Sequence, residues 1–274
     1  MKKKTYTCVL TIAGSDSIGG AGIQADLKTF SALGCYGASV ITAVTAQNTT
    51  AVTGIHALPP EFVQQQIEAV FSDITVDAVK IGMLANDAIT EAVAQQLSLR
   101  KVKNIVVDPV MVSTSGAELL RSNAIDLLKE KFFPLSTIVT PNIPEAEALT
   151  GLPIKNKSDM ENAATTILSL GANAVLLKGG HLEGPKCSDC LCLSDTQGKP
   201  KMIWLESKKI DTKNTHGTGC TLSSAIAAYL GKGYSLERAV KEAHAYVLAA
   251  IRSGAQYKLG KGYGPVHHFY KYWK

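Results

Sequence analysis

The stretch Asn214-Thr215-His216-Gly217-Thr218-Gly219-Cys220-Thr221-Leu222-Ser223-Ser224 carries the densest chemistry in the chain. Two glycines around Thr218 allow backbone angles closed to other residues and leave the main chain bare. Good helix formers follow, with Leu222, Ala225, Ala227 and Ala228 ahead of Gly231, so the turn feeds a helix N-terminus. Such a turn aims unpaired amide hydrogens outward and can hold an anion. A plain Gly-containing loop that starts a buried helix has the same sequence. Cys220 adds weight to the anion reading. It falls in the first helical turn, where the helix dipole favours a thiolate, so its pKa is expected below the usual thiol value.

Positioning these groups requires a scaffold, and the apolar pattern supplies one. Residues 7–13 (TCVLTIA) read as a buried strand, followed by the irregular stretch 14–22. Ile23, Leu27, Phe30 and Leu33 then fall on one helical face that ends at Gly34. Residues 38–46 read as a second strand running into Gln47-Asn48-Thr49, and Pro60 opens a helix with Val63, Ile67, Val70 and Phe71 on one side. Strands at 78–82, 105–107, 137–140 and 174–177 alternate with helices at 87–99, 124–131 and 159–170. Continuous apolar strands between helices mean a mostly parallel sheet covered on both faces. Between 190 and 210 the rhythm becomes an antiparallel hairpin joined by Thr196-Gln197-Gly198-Lys199. Helices at 221–230 and 236–251 and an aromatic tail close the chain. No linker, low-complexity segment or repeat interrupts it, so residues 1–274 are expected to form a single α/β domain.

In such sheets ligands gather at the carboxyl ends of the strands. The residues expected there are Asp16 with Gly19 and Gly20, Gln47, Met83, Asp108, Asn142 with Glu145, and Lys178. Any one polar residue after a strand can equally be a helix cap; the set, beside an anion-binding turn, reads as a site. Asp108 and Glu145 suit Mg²⁺ or its waters, and Lys178 suits phosphate oxygens. Charge neutralisation with positioning is what phosphoryl transfer requires. There is no G-x-x-x-x-G-K-[ST], and residues 14–22 do not follow G-x-G-x-x-G, which excludes a P-loop enzyme and an obvious dinucleotide binder.

Composition sets the outer limits. The chain is 46% hydrophobic and 19% charged, enough apolar material for a large core. A net charge of +5 with scattered lysines argues against nucleic acid and suits a small anionic substrate. No apolar run approaches the ~18 residues of a membrane span, and a cytoplasmic protein is expected. The six cysteines fit reduced thiols. Cys187, Cys190 and Cys192 form C-x2-C-x-C, open to a zinc site with His181 or to an ordinary hairpin arm.

The motifs TIAGSDSIGGAGIQADLKTFSALG (11–34), ITAVTAQNT (41–49), KIGML (80–84), VVDPVM (106–111), TPNIPEAEAL (140–149), LLKGGHL (176–182), NTHGTGCTLSSAIAA (214–228) and KGYGPVHH (261–268) occur in one order. The chain thereby resembles, almost end to end, the hydroxymethylpyrimidine/phosphomethylpyrimidine kinases of the ribokinase superfamily. The resemblance implies a three-layer α/β/α ribokinase-like fold. It also implies ATP-dependent phosphorylation of 4-amino-5-hydroxymethyl-2-methylpyrimidine and then of its monophosphate, with Mg²⁺, in a homodimer. It further implies that the amides of Gly217, Thr218, Gly219 and Cys220 form the anion hole, with Cys220 in place of an aspartate base. Gln47 would pair with the pyrimidine ring, with Gly14 and Met83 lining its pocket. Asp26 matches a position near the alcohol, although it also reads as a solvated helix residue. Asp108, Asn142, Glu145 and Lys178 take nucleotide, metal and phosphate roles, and His216 either joins the site or shapes the loop. Pyridoxal kinase activity on the same fold is the competing reading. Certain pyridoxal-phosphorylating relatives carry a second cysteine after D-P-V-M, where this chain has Val112-Ser113-Thr114-Ser115-Gly116.

Overall fold

The alternation of apolar strands and amphipathic helices appears as one mixed sheet in a computed structural model, which describes residues 4–111, 122–182, 184–194 and 198–273. The strands are β1 (Cys8–Asp16), β2 (Tyr36–Gln47), β3 (Val52–Ala57), β4 (Ala78–Ile81), β5 (Ile105–Val107), β6 (Ile138–Val139), β7 (Ala174–Leu177), β8 (Lys186–Ser194) and β9 (Pro200–Lys208). They hydrogen-bond in the order β3-β2-β1-β4-β5-β6-β7-β8-β9. From β2 to β7 every neighbour is parallel, while β3 on one flank and β8 and β9 on the other run antiparallel.

The helices are α1 (Gly22–Ala32), α2 (Pro60–Asp73), α3 (Asp87–Arg100), α4 (Ser122–Phe132), α5 (Ile143–Thr150), α6 (Lys157–Ser169), α7 (Thr218–Gly231) and α8 (Leu236–Gly254). Because strand side chains alternate between faces, the core divides in two. Leu10, Ile12, Val79, Ile81 and Val107 pack under residues from α2 to α6. Val9, Ala78, Val106, Ile138 and Leu176 pack against α1, α7 and α8. The three layers match the expected architecture. α7 can lie close to the sheet because it is built from small residues: Ser223, Ser224, Ala225, Ala227 and Ala228 are all buried.

Two elements were not expected. β3 lacks an apolar run and is largely exposed, held by its pairing with β2. α5 is short and opens on the N-I-P segment, with a left-handed Gly151 at its end. The hairpin also starts earlier than expected, at Lys186. Its turn residues 195–197, like the segment Val112-Ser113-Thr114-Ser115-Gly116, lie outside the described residues. Among the described residues no helix is long and apolar enough to cross a membrane.

Candidate active site

Gly217 turns the chain into α7. Its φ of 79° is left-handed, and a Cβ there would meet the Gly20 carbonyl oxygen at 1.7 Å, so only glycine is tolerated. Side chains complete the turn. The Thr218 hydroxyl donates to the Thr215 carbonyl (2.8 Å) and the Thr221 hydroxyl to the Gly217 carbonyl (2.8 Å). His216 Nε2 lies 2.9 Å from Asp16 Oδ2, and both residues are buried. The same Asp16 carboxylate accepts from the amides of Ile18, Gly20 and Ala21. Burial alone would raise the Asp16 carboxyl; His216 and these amides outweigh it and hold it below the usual carboxylate range. The pair therefore ties the loop after β1 to the glycine turn.

A charged cluster lies across the sheet's carboxyl edge. Asp108, just past β5, accepts from Lys178 Nζ at 2.9 Å, the Thr140 hydroxyl at 3.1 Å and the Ser223 hydroxyl of α7 at 3.2 Å. Burial opposes its ionisation, but Lys178 and Lys80 prevail and lower its pKa. Lys178 also lies 3.9 Å from Glu145. Burial, followed by the nearby Asp108 charge, pushes the Glu145 carboxyl up to about 7 against the pull of Lys178. Asn142 and Glu145 also make a reciprocal capping box on α5 (2.7 and 2.9 Å).

Two clefts flank this cluster. A smaller one of about 170 Å³ is lined by Gly14, Gln47, Met83 and Cys220. A larger one of about 740 Å³ has an apolar wall from α8, including Val247, Leu248 and Ile251. Their shared boundary is Asn142, Glu145, Lys178, Thr215, Thr218 and Gly219. Gly217 lines the smaller cleft as well. Of the residues expected at the site, Gly19, Gly20 and Asp26 line neither cleft, and the others line one or both.

Asp26 corrects one expectation. It is fully buried rather than solvated, and accepts from Thr11 Oγ1 (2.6 Å), Ser224 Oγ (2.6 Å) and Lys80 Nζ (3.0 Å). Lys80, from β4, lines the smaller cleft and was not singled out from the sequence. Its signal was a cation inside an otherwise apolar strand. Cys220 corrects another: burial pushes its thiol up to about 11, although the Lys80 charge pulls the other way. Removing a thiolate from water outweighs the helix dipole at this position.

The remaining candidates also find places. Cys190 and Cys192 are buried in the core, with Cys190 Sγ 3.7 Å from the Met202 sulfur, whereas Cys187 lines the larger cleft. Among the described residues no group of three or more His, Cys, Asp and Glu is gathered to hold a metal. The tail packs onto the body: His268 Nε2 is 3.1 Å from Thr221 Oγ1, and the Tyr246 hydroxyl donates to the His268 carbonyl at 2.8 Å.

Three α/β/α layers with a glycine turn at the start of α7, a lysine–carboxylate cluster and two clefts meeting there fit a small-molecule kinase of the ribokinase-like class. Comparison with known proteins agrees. The family model described as phosphomethylpyrimidine kinase matches residues 16–267, and the chain belongs to that family. A hydroxymethylpyrimidine/phosphomethylpyrimidine kinase from Rhizobium meliloti is 53% identical, covering 97% of this chain and 98% of the relative. Among solved structures, a phosphomethylpyrimidine kinase from Clostridium difficile has a TM-score of 0.77 at 48% identity, covering 89% of this chain and 99% of its own. An ADP complex of Bacillus subtilis pyridoxal kinase has a TM-score of 0.88 at 38% identity, covering 96% of this chain and 98% of its own.

Proposed function

We propose that the protein transfers the terminal phosphate of ATP to 4-amino-5-hydroxymethyl-2-methylpyrimidine and then to the resulting monophosphate, as a cytoplasmic homodimer in thiamine biosynthesis. The observation that carries this reading is the shared boundary of the two clefts. An acceptor-sized cleft and a nucleotide-sized one meet at Lys178, Thr218 and Gly219. The Gly217–Cys220 amides would receive the transferring phosphoryl group, and Lys178 would neutralise its oxygens. Gln47, Gly14 and Met83 would hold the ring so that its hydroxymethyl group faces the turn. Cys220, a neutral thiol at the turn, would help orient the hydroxyl, whose proton leaves to a phosphate oxygen as the new bond forms.

The donor chemistry suits Mg²⁺. Asp108 and Glu145 are a buried carboxylate pair beside the boundary, and Mg²⁺ is commonly held by one or two carboxylates together with phosphates and waters. When bound, the ion would neutralise phosphate charge. Asp26 would act from beneath, by fixing Lys80 and α7 through Ser224.

Pyridoxal is the second acceptor to test, because solved pyridoxal kinases, including one from Staphylococcus aureus in complex with AMP-PCP and pyridoxal, share the fold with a TM-score of 0.88. Incubation with ATP and each of the pyrimidine alcohol, its monophosphate and pyridoxal, followed by mass detection, decides the matter. Two successive phosphate additions to the pyrimidine are expected; phosphorylation of pyridoxal alone would overturn the reading. Analytical ultracentrifugation checks the homodimer.

A further inference from the structure

We infer that Thr45, which nothing above assigns a role, is a specificity-determining residue: its hydroxyl sets which end of the Gln47 amide faces the acceptor cleft. The inference rests on the proposal that Gln47 meets an aminopyrimidine.

Thr45 is buried near the end of β2 and lines the smaller cleft with Gln47. Its Oγ1 makes two contacts, 2.9 Å to the Ser15 carbonyl oxygen and 3.2 Å to the atom placed as Gln47 Oε1. A threonine hydroxyl has one hydrogen to give and lone pairs to receive. The shorter contact takes that hydrogen, so it goes to the Ser15 carbonyl, which can only accept. The second contact is a hydrogen bond only if Gln47 donates, which turns the amide nitrogen toward Thr45 and its oxygen into the cleft. The two ends of an amide are distinguished by such partners.

The surroundings hold this relay in place. Ser17 Oγ accepts from the Gln47 amide nitrogen and donates to the Gln47 carbonyl, both at 2.8 Å, which clamps the Gln47 backbone. Gln24 fixes the other end, donating to Ser15 Oγ at 2.7 Å and accepting from the Asp16 amide at 2.8 Å. The Gln47 side chain is left with Thr45 as its hydrogen-bonding partner among the described residues.

An amide oriented this way offers an acceptor to a ring amino group and, through its second N–H, a donor to the adjacent ring nitrogen. A ring lacking the amino group leaves the oxygen unmatched, and unmatched polar groups are where enzymes discriminate most strongly. Thr45 thus acts on specificity through Gln47.

The test uses the whole protein with ATP and two acceptors, the aminopyrimidine alcohol and the same alcohol with hydrogen replacing the amino group. The wild type is expected to favour the amino compound in kcat/KM by about 10- to 100-fold. In Thr45→Val that preference should shrink by about tenfold, through KM of the amino compound with kcat kept, and Thr45→Ser should restore it. In a Gln47→Ala background Thr45→Val should have no further effect. Preference surviving in Thr45→Val, or equal losses on both alcohols, overturns the relay. A wild type that phosphorylates neither alcohol instead removes the aminopyrimidine assignment, and this inference with it.

Discussion

Cys220 shows how two local effects compete at one atom. A helix N-terminus should acidify a thiol, yet burial pushes this one up to about 11. Site-resolved alkylation of Cys220 in the ligand-free protein is therefore expected to accelerate with pH well beyond 9; a plateau below pH 8 would show a thiolate already formed. Cys220→Ala should cut turnover by about 100-fold, the scale on which losing the alignment of a reacting group acts, while leaving nucleotide binding by calorimetry unchanged. Glu145 poses the opposite question for stability. Its carboxyl, raised to about 7 by burial, holds a proton in the folded state that the unfolded chain has released. Stability from this group is thus present at low pH and is lost as pH rises from about 4.5 through about 7. Glu145→Gln should remove that slope in ligand-free melting curves and raise Tm by a few degrees at pH 8, while lowering kinase activity.

At the scale of elements, the glycine turn and α7 form the unit on which the site depends. Gly217→Ala combines a left-handed φ with a clash against the Gly20 backbone. It is expected to abolish most activity and to lower Tm by several degrees, whereas Gly151→Ala, with nothing near its added carbon, should suffer only the φ strain and keep activity. Elements with a strong apolar period were legible in the sequence, as with β1, β7 and α7. β3 was not, because an exposed edge strand has no buried face to pattern. The N-I-P-E segment held the signals of α5, a capping asparagine and an early proline, but eight residues gave too short a period to register. The grouping of the candidate residues was legible because they follow strands in order. Lys80 and the true setting of Asp26 were not, since their pairing joins β4 to α1 across 54 positions and no local pattern reports it.

For the molecule as a whole, nucleotide binding at the proposed boundary of the two clefts would be a stability term. A non-hydrolysable ATP analogue at 100 times its Kd should stabilise the fold by about 2.7 kcal/mol, provided it does not bind the unfolded chain. Thermal melts with and without the analogue measure this, and Lys178→Met should lose most of the shift. Lys178 also offsets two buried carboxylates, so the ligand-free variant is itself expected to melt lower.

The high thiol pKa has a consequence for nucleotide economy. With the terminal phosphate at the glycine turn as proposed, a neutral Cys220 thiol would be a poor base toward stray water and would spare ATP waiting without an alcohol from idle breakdown. Phosphate release from ATP alone is accordingly expected to be far slower than transfer. Cys220→Asp, which places a ready base at the same spot, should raise that leak.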